Sequence, residues 1–170
     1  ELLQASPEER NYSMLKDNRH YSITVDINEK LLFLIEEFRI NKIPSDDIQL
    51  SIVIPAFNER ERLPKTIFET IRWCHKNVPS YEILISDDGS SDETVDIAKL
   101  FSSYIKNVRV IACPHLGKGS AVRMGMLNAV GRYVLFMDAD GATPIGEIPK
   151  LMDRINNGYH IAIGSRALKK

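Results

Sequence analysis

Two aspartates separated by one residue, Asp138 and Asp140, directly follow an apolar run in the stretch VLFMDADGAT. In an extended segment, side chains at positions i and i+2 point the same way, so both carboxylates can face one ion. Hard oxygen ligands suit Mg²⁺ or Mn²⁺, and Mg²⁺ usually takes only one or two protein carboxylates beside substrate phosphates. Because Asp and Gly also make ordinary turns, a turn and a metal site are both open from this stretch alone.

A second acidic cluster, DDGSSDE at residues 87–93, follows another apolar run. Asp and Gly favour a turn, and Ser90 with Glu93 matches the capping box S-x-x-E of a following helix. The turn does not explain the doubled Asp87-Asp88, because adjacent like charges cost free energy unless they are hydrogen-bonded. We therefore predict that at least one of these two carboxylates accepts a hydrogen bond from a nucleobase or a ribose hydroxyl.

Two further polar segments resemble loops at strand ends. In PAFNE, at residues 55–59, Asn58 is a candidate helix N-cap and Glu59 a candidate ligand for a ribose diol. In LGKGS, at residues 116–120, the residue order matches neither a Walker A loop nor GxGxxG. What remains is a turn that brings Lys118 to a helix N-terminus, which favours anions, or a turn lysine that is simply exposed to solvent.

These segments need a fold that brings strand ends together. Short β-branched runs predict strands at Leu50–Pro55, Tyr81–Ser86, Val108–Ala112, Tyr133–Met137 and Ile161–Gly164. Helical patterns between them predict helices at Leu63–Asn77, Asp92–Tyr104, Ser120–Ala129 and Glu147–Asn157. The alternation indicates an α/β fold with a mostly parallel sheet, and the nearly all-apolar strands indicate burial on both faces. Ligands of such sheets bind beyond the carboxyl ends of the strands, where the polar segments fall.

The composition excludes several classes of protein. The chain has 170 residues, of which 44% are hydrophobic and 26% charged, as in a soluble globular domain. The net charge of -1 provides no general attraction to nucleic acid, so no nucleic-acid partner is expected. No apolar run approaches the roughly 18 residues of a membrane span. The two cysteines form no CxxC pair and the four histidines no HExxH motif, which favours buried thiols of a reducing, cytoplasmic compartment over a disulfide framework or a zinc site.

Residues 1–48 differ in sequence from the rest of the chain. They begin polar and turn-rich, and they offer a short strand at Tyr21–Val25. An amphipathic helix is predicted to follow, with four apolar residues on one face: Leu31, Leu34, Ile35 and Phe38. We expect this face to pack on the main domain, with a partner chain or a membrane surface as the alternatives. The segment Pro44–Asp47 is predicted to be a linker, so the expected organisation is an N-terminal extension at 1–48 and a domain at 49–170.

Five motifs, in this order and spacing, resemble those of the family 2 glycosyltransferases of GT-A fold: SIVIPAFNERERLP, YEILISDDGSSDET, HLGKGSAVRMGM, YVLFMDADGAT and IAIGSRA. The fragments GKGSAVRMG and DADGAT favour the dolichyl-phosphate β-glucosyltransferases, with the dolichyl-phosphate mannose synthases next. The resemblance covers about residues 50–167. It implies a Rossmann-like, GT-A-type sheet and a nucleotide-sugar-binding part at 49–170. Members of the family continue well beyond GSRA, so we expect the domain to be truncated at its C-terminal side.

The resemblance also implies roles for single positions. They are Pro55, Ala56, Phe57 and Glu59 for the nucleoside; Asp87, Asp88, Gly89 and Ser90 for the base; Lys118 and Gly119 for the donor side of the cleft; Asp138, Ala139 and Asp140 for the metal end; and Arg166 for the diphosphate. Asp138 and Asp140 would be the catalytic pair and the ligands of Mg²⁺ or Mn²⁺, with Asp140 the firmer ligand. Ala142 stands where mannose synthases carry a polar side chain, so water or Thr143 would complete the metal shell.

The implied reaction is the inverting transfer of glucose from UDP-glucose to a polyprenyl (dolichyl) phosphate, in a single displacement. The metal would offset charge on the leaving UDP, and a phosphate acceptor, already largely dianionic at pH 7, would need no general base. The alternatives are a mannosyltransferase that uses GDP-mannose, and a non-catalytic nucleotide-sugar-binding module that lacks the acceptor half. We expect the full-length protein to work in the cytoplasm or at the cytoplasmic face of a membrane.

Overall fold

The computed structural model of the chain describes residues 47–165. Within this range the strands are β1 (Leu50–Ala56), β2 (Tyr81–Asp87), β3 (Val108–Ala112) and β4 (Tyr133–Phe136). The helices between and after them are α1 (Leu63–Asn77), α2 (Thr94–Tyr104), α3 (Lys118–Asn128) and α4 (Ile148–Asn156), the last preceded by a 3₁₀ turn at Ile145–Glu147. This alternation confirms the predicted α/β class.

The strand order, β3-β2-β1-β4, reverses direction once along the chain. All neighbouring strands are parallel, and β1 pairs with β2 on one side and with β4 on the other. Right-handed crossovers therefore place α1 and α2 on one face of the sheet and α3, whose connection runs in the opposite direction, on the other face. The packing agrees, since α1 contacts α2 while α3 contacts β1 and β2. The predicted mostly parallel sheet with helices on both faces is confirmed.

The core lies around β1 and β2, in which every residue is buried. Helix α1 adds a buried stripe at helical spacing that includes Leu63, Ile67, Ile71 and Cys74. Both cysteines are buried free thiols, as predicted. Burial raises the pKa of Cys74 to about 12, so this thiol is a core residue and not a nucleophile.

Two predictions about the strands are wrong. The apolar residues of β4 are not all buried, because Val134 and Phe136 are 40% and 46% exposed at the edge of the sheet. The predicted strand Ile161–Gly164 does not form, and Ile161 and Ile163 are exposed. A strand requires a hydrogen-bonded neighbour, and β-branched residues alone do not supply one. Within residues 47–165, this segment has no such neighbour.

The predicted capping box of the second helix is also wrong. Helix α2 begins at Thr94, and neither Ser90 nor Glu93 caps it with a side chain. The Ser90 hydroxyl instead donates to Asp87 Oδ1 at 2.5 Å, within the preceding turn. Asp92, which precedes the N-cap residue Glu93, accepts one N–H of the first turn instead, since its Oδ1 lies 3.0 Å from the backbone nitrogen of Thr94. Ser90 therefore hydrogen-bonds to Asp87 within the turn, and not to the first turn of α2 as the capping-box motif predicts.

Several predictions fall outside the described residues. They are the strand Tyr21–Val25, the amphipathic face of Leu31, Leu34, Ile35 and Phe38, and the site residue Arg166. The division at residue 48 therefore stays a prediction. None of the helices within 47–165 combines the length and apolar character that crossing a membrane requires.

Gly125 allows α3 to lie close against the sheet. A Cβ atom at this position would lie 2.5 Å from Ser86 Oγ and would also collide with Val53 Cγ1, and both of these side chains are fully buried. Gly119, on the same helix, has open space at the corresponding point. Alanine substitutions at these two positions therefore distinguish the packing requirement at Gly125 from the general cost of a glycine within a helix.

We predict that Gly125→Ala lowers the free energy of unfolding by about 1–3 kcal/mol through overpacking, although alanine favours helices. The matched change Gly119→Ala should leave this free energy unchanged or raise it by up to about 1 kcal/mol. Urea unfolding followed by circular dichroism measures both. A wild-type urea midpoint for Gly125→Ala would contradict the close approach of α3.

Candidate functional site

A cleft of about 290 Å³ opens at the carboxyl edge of the sheet. The carboxyl end of β1 and the segments that follow all four strands contribute to its lining: Pro55, Ala56, Phe57 and Glu59; Asp88; His115, Gly117, Lys118 and Ala121; and Asp138, Ala139 and Asp140. Strand order reverses between β1 and β4, so the cleft lies at the crevice where parallel α/β sheets bind ligands.

Most of the predicted site residues meet in this cleft. They are Pro55, Ala56, Phe57, Glu59, Asp88, Lys118, Asp138, Ala139 and Asp140. Four others lie beside the cleft but are not part of its lining: Asp87 at the end of β2, Gly89 and Ser90 in the loop that follows, and Gly119 in the first turn of α3. The roles assigned to these positions stay predictions, although the fold brings the positions together.

The two aspartates after β4 are exposed, and Ala139 between them is buried. Thr66 on α1 fixes this segment, because its hydroxyl donates to the carbonyl oxygen of Ala139 at 2.7 Å. The chain then turns at Gly141, whose φ of 65° favours glycine. The turn and the pair of outward carboxylates are therefore both present, and the turn presents the carboxylates to the cleft.

The chemistry of these carboxylates fits a divalent cation that takes few ligands from the protein. Among the residues that the structure describes, no group of three or more His, Cys, Asp or Glu side chains is arranged to hold a metal ion. Asp138 and Asp140 supply hard oxygen atoms to one cleft, and Mg²⁺ commonly completes such a site with water and substrate phosphates. Thr143, the other candidate ligand, is not among the residues that line the cleft.

Asp87 closes the turn after β2. This carboxylate is buried, and its Oδ2 accepts the backbone N–H groups of Gly89 and Ser90, both at 3.0 Å. The Ser90 hydroxyl binds the other oxygen. These three donors offset the cost of burying the charge, so the turn itself accounts for this aspartate.

Asp88 ties the loop before α3 to the end of β2. Its buried carboxylate accepts the backbone N–H of Leu116 at 3.1 Å and that of Gly117 at 2.8 Å. Gly117 has a φ of 93°, which permits the abrupt entry into the helix that begins at Lys118. The adjacent pair Asp87-Asp88 is therefore explained by two structural roles: Asp87 closes the turn after β2, and Asp88 holds the loop before α3.

The sequence analysis did not identify His115, which forms a stacked pair with Phe57. The ring centroids lie 4.6 Å apart with an interplanar angle of 26°. Nδ1 of His115 lies 2.6 Å from the carbonyl oxygen of Asp88 and must donate to it, because a carbonyl oxygen only accepts. Its position in the loop after β3, beside the other strand-end segments, is a signal from which the sequence could have identified this residue.

Glu59 lies at the entrance to α1 with its side chain mostly buried. Its Oε2 lies 2.6 Å from Arg62 Nε, but it accepts no hydrogen bond from any residue in the described range. The backbone N–H of Glu59 donates to Thr94 Oγ1 at 2.8 Å, which anchors the segment to α2.

Asn58 does not cap α1, which begins five residues later at Leu63. Its φ of 54° is a left-handed conformation that Asn tolerates better than most residues. Its side-chain oxygen accepts the backbone N–H of Ser91 at 2.9 Å. Asn58 therefore links the loop after β1 to the loop after β2, and the N-cap alternative is excluded.

The sequence profile of glycosyl transferase family 2 matches residues 51–170. The chain belongs to this family. A dolichyl-phosphate β-glucosyltransferase of Dictyostelium discoideum is 36% identical over 161 residues, which cover 86% of this chain and 48% of that protein. The chain thus spans about half the length of this family 2 relative.

Two solved glycosyltransferase structures share the fold. S. aureus TarS in complex with UDP-GlcNAc superposes with a TM-score of 0.53 at 18% identity, over 72% of this chain and 39% of that one. Glucosyl-3-phosphoglycerate synthase from Mycobacterium tuberculosis, in complex with Mn²⁺, UDP-glucose and phosphoglyceric acid, gives 0.50 at 24% identity, over 65% and 40%. The predicted GT-A-type fold is confirmed.

We predict that Asp88→Asn loosens the loop before α3. An amide has one acceptor oxygen, so one of the two N–H groups would face an NH₂ group and lose its partner, at a cost of about 1–3 kcal/mol. Hydrogen exchange by NMR should become faster at Leu116 and Gly117. The amides of Gly89 and Ser90, which Asp87 holds, are the internal control, and equal changes at both pairs would contradict the assignment.

Proposed function

We propose that residues 49–170 bind UDP-glucose in the cleft, and that the longer protein transfers its glucose, with inversion, to a polyprenyl (dolichyl) phosphate. The observation that most directly supports this proposal is the composition of the cleft, where Phe57 and Glu59 follow β1 and the carboxylates of Asp138 and Asp140 follow β4. A nucleotide sugar presents matching groups in order: a flat base, a ribose diol and a diphosphate.

The nucleoside would occupy the wall formed after β1. Pro55 and Ala56, at the buried end of β1, line the base of this wall, and Phe57 is 44% exposed. Glu59 lines the same cleft, and its carboxylate is the proposed acceptor for the hydroxyl groups of the ribose. Remaining lone pairs on Asp87 and Asp88 are the proposed acceptors for the imide N–H of uracil, beside Gly89 and Ser90.

The diphosphate would lie between β4 and the N-terminus of α3. We assign Asp138 and Asp140 as the ligands of Mg²⁺ or Mn²⁺, which when bound acts as a Lewis acid on the leaving diphosphate. Lys118 and the first-turn amides of α3, including that of Gly119, supply further positive charge for the phosphates. Arg166 is the proposed additional cation.

A phosphate acceptor explains why the cleft needs no general base. The terminal phosphate of a polyprenyl phosphate is largely dianionic at pH 7, since its second pKa is about 6. A single in-line attack by this oxygen on the anomeric carbon inverts its configuration and releases UDP. The name of the Dictyostelium relative supports the lipid acceptor. Such an acceptor would place the reaction at a membrane surface, for which we propose the cytoplasmic face.

We predict a larger thermal stabilisation by UDP and UDP-glucose than by GDP and GDP-mannose, each in the presence of Mn²⁺. The reason is the pair of carboxylates that would read the uracil imide, together with the glucosyltransferase relative. A thermal-shift screen of the four ligands is the direct test of the proposed donor. Stronger stabilisation by GDP-mannose would indicate a mannosyltransferase instead.

We predict that UDP-glucose binds more tightly with Mn²⁺ or Mg²⁺, and that Asp140→Ala weakens this metal-dependent binding at least about tenfold. Calorimetry with and without the metal measures the effect. Asp153→Ala, an exposed aspartate of α4 outside the cleft, is the control. Equal affinity with and without metal would remove the metal role and favour a nucleotide-sugar-binding module without catalysis.

A further inference from the structure

Lys118 and Asp138 form an ion pair across the cleft. Lys118 Nζ lies 2.6 Å from Asp138 Oδ1, and both residues line the cleft. Their side chains are 62% and 45% exposed, so water screens the pair. Exposed pairs of this kind contribute little to stability, which means that a competing cation or anion can separate them at low cost.

The backbone of Lys118 is held in place independently of this pair. The buried carboxylate of Asp88 accepts the N–H groups of Leu116 and Gly117, immediately before Lys118 begins α3. The flexible four-carbon stem of lysine lets its ammonium group move while its Cα stays fixed. The ammonium group of Lys118 can therefore pair with more than one anion within the cleft while the backbone of this residue stays in place.

Asp138 is also one of the two proposed metal ligands, which sets up a competition. A divalent cation binds a carboxylate oxygen at about 2.1 Å, and an ammonium group on the same carboxylate would then lie within a few ångströms of it, where like charges repel. Binding of the cation at Asp138 should therefore displace the ammonium group of Lys118. The nearest new anion would be the diphosphate of the donor.

We propose that Lys118 neutralises Asp138 while no cation is bound and transfers to the donor diphosphate when the cation arrives. This inference rests on the proposed nucleotide-sugar function and adds a coupling to it. Cation and diphosphate each remove one partner of the Lys118–Asp138 pair, so each favours binding of the other. The coupling is reciprocal, because the two affinities are thermodynamically linked.

One substitution should then change two affinities in opposite directions. Lys118→Met keeps most of the stem and removes the charge. Without the competing ammonium group, Mn²⁺ alone should bind about two- to fivefold more tightly, the range expected for loss of an exposed ion pair. UDP in the presence of Mn²⁺ should bind at least about tenfold more weakly, because a charge-assisted contact is lost. General damage to the cleft would weaken both.

The test is a titration of the 170-residue chain with Mn²⁺, in which the free ion is followed by electron paramagnetic resonance, with and without UDP. Lys118→Arg retains the charge and should keep the coupling. Lys150→Met is the matched control, since Lys150 forms a similar exposed pair with Glu147 at 2.6 Å but does not line the cleft. Its affinities for Mn²⁺ and UDP should equal those of the wild type.

Unchanged or weaker Mn²⁺ binding by a folded Lys118→Met variant would overturn the proposal while leaving the donor assignment intact. If this variant does not fold, NMR of reductively ¹³C-methylated wild-type protein decides. The Lys118 signal, assigned by its absence from Lys118→Arg, should shift with Mg²⁺ alone and again with UDP. No shift at a concentration where Mg²⁺ binds would overturn the proposal. A wild type that binds Mn²⁺ but no UDP-glucose would refute the proposed function separately.

Discussion

The parallel pairing of β1 on both sides is the constraint on which the site depends. Because β2 and β4 are both parallel neighbours of β1, all three strands deliver their carboxyl ends to one edge of the sheet. The helices that follow β1 and β3 pack on opposite faces of the sheet, and the segments after β1, β3 and β4 surround the cleft. Gly125 permits this arrangement, since it lets α3 pack closely on the face opposite α1.

Buried carboxylates give the loops around the cleft a fixed shape. Asp87 and Asp88 would be costly to bury as isolated charges, but backbone N–H groups donate to both, and the Ser90 hydroxyl also donates to Asp87. Each carboxylate fixes a different loop, one after β2 and one before α3. The entry to α3, and with it the backbone of Lys118, is therefore positioned by contacts within the protein. A ligand that binds there does not have to bear the entropic cost of ordering these loops.

The sequence predicted what depends on local patterns and missed what depends on distant partners. The bounds of α1 were predicted to the residue, because its apolar period and its proline at the start are local signals. The strand at Ile161–Gly164 was predicted wrongly, because β-branched residues do not reveal whether a neighbouring strand exists. The stacking of His115 on Phe57 joins loops after different strands, and no spacing rule indicates such a contact. The family motifs located most of the cleft, because they combine these distant segments.

The balance of charge within the cleft explains why two carboxylates and a cation belong together. Glu59 lies beside Arg62, Asp88 accepts backbone N–H groups, and Asp138 pairs with Lys118. Asp140 accepts only the backbone N–H of Ala142, at 2.8 Å, and among the described residues it forms no ion pair. It is thus the carboxylate with the most capacity left for a metal ion. The charge of Asp140 would repel a diphosphate that enters without a divalent cation. When the diphosphate carries the cation, the same carboxylate attracts the complex through the metal, so Asp140 favours the metal-bound diphosphate over the free one.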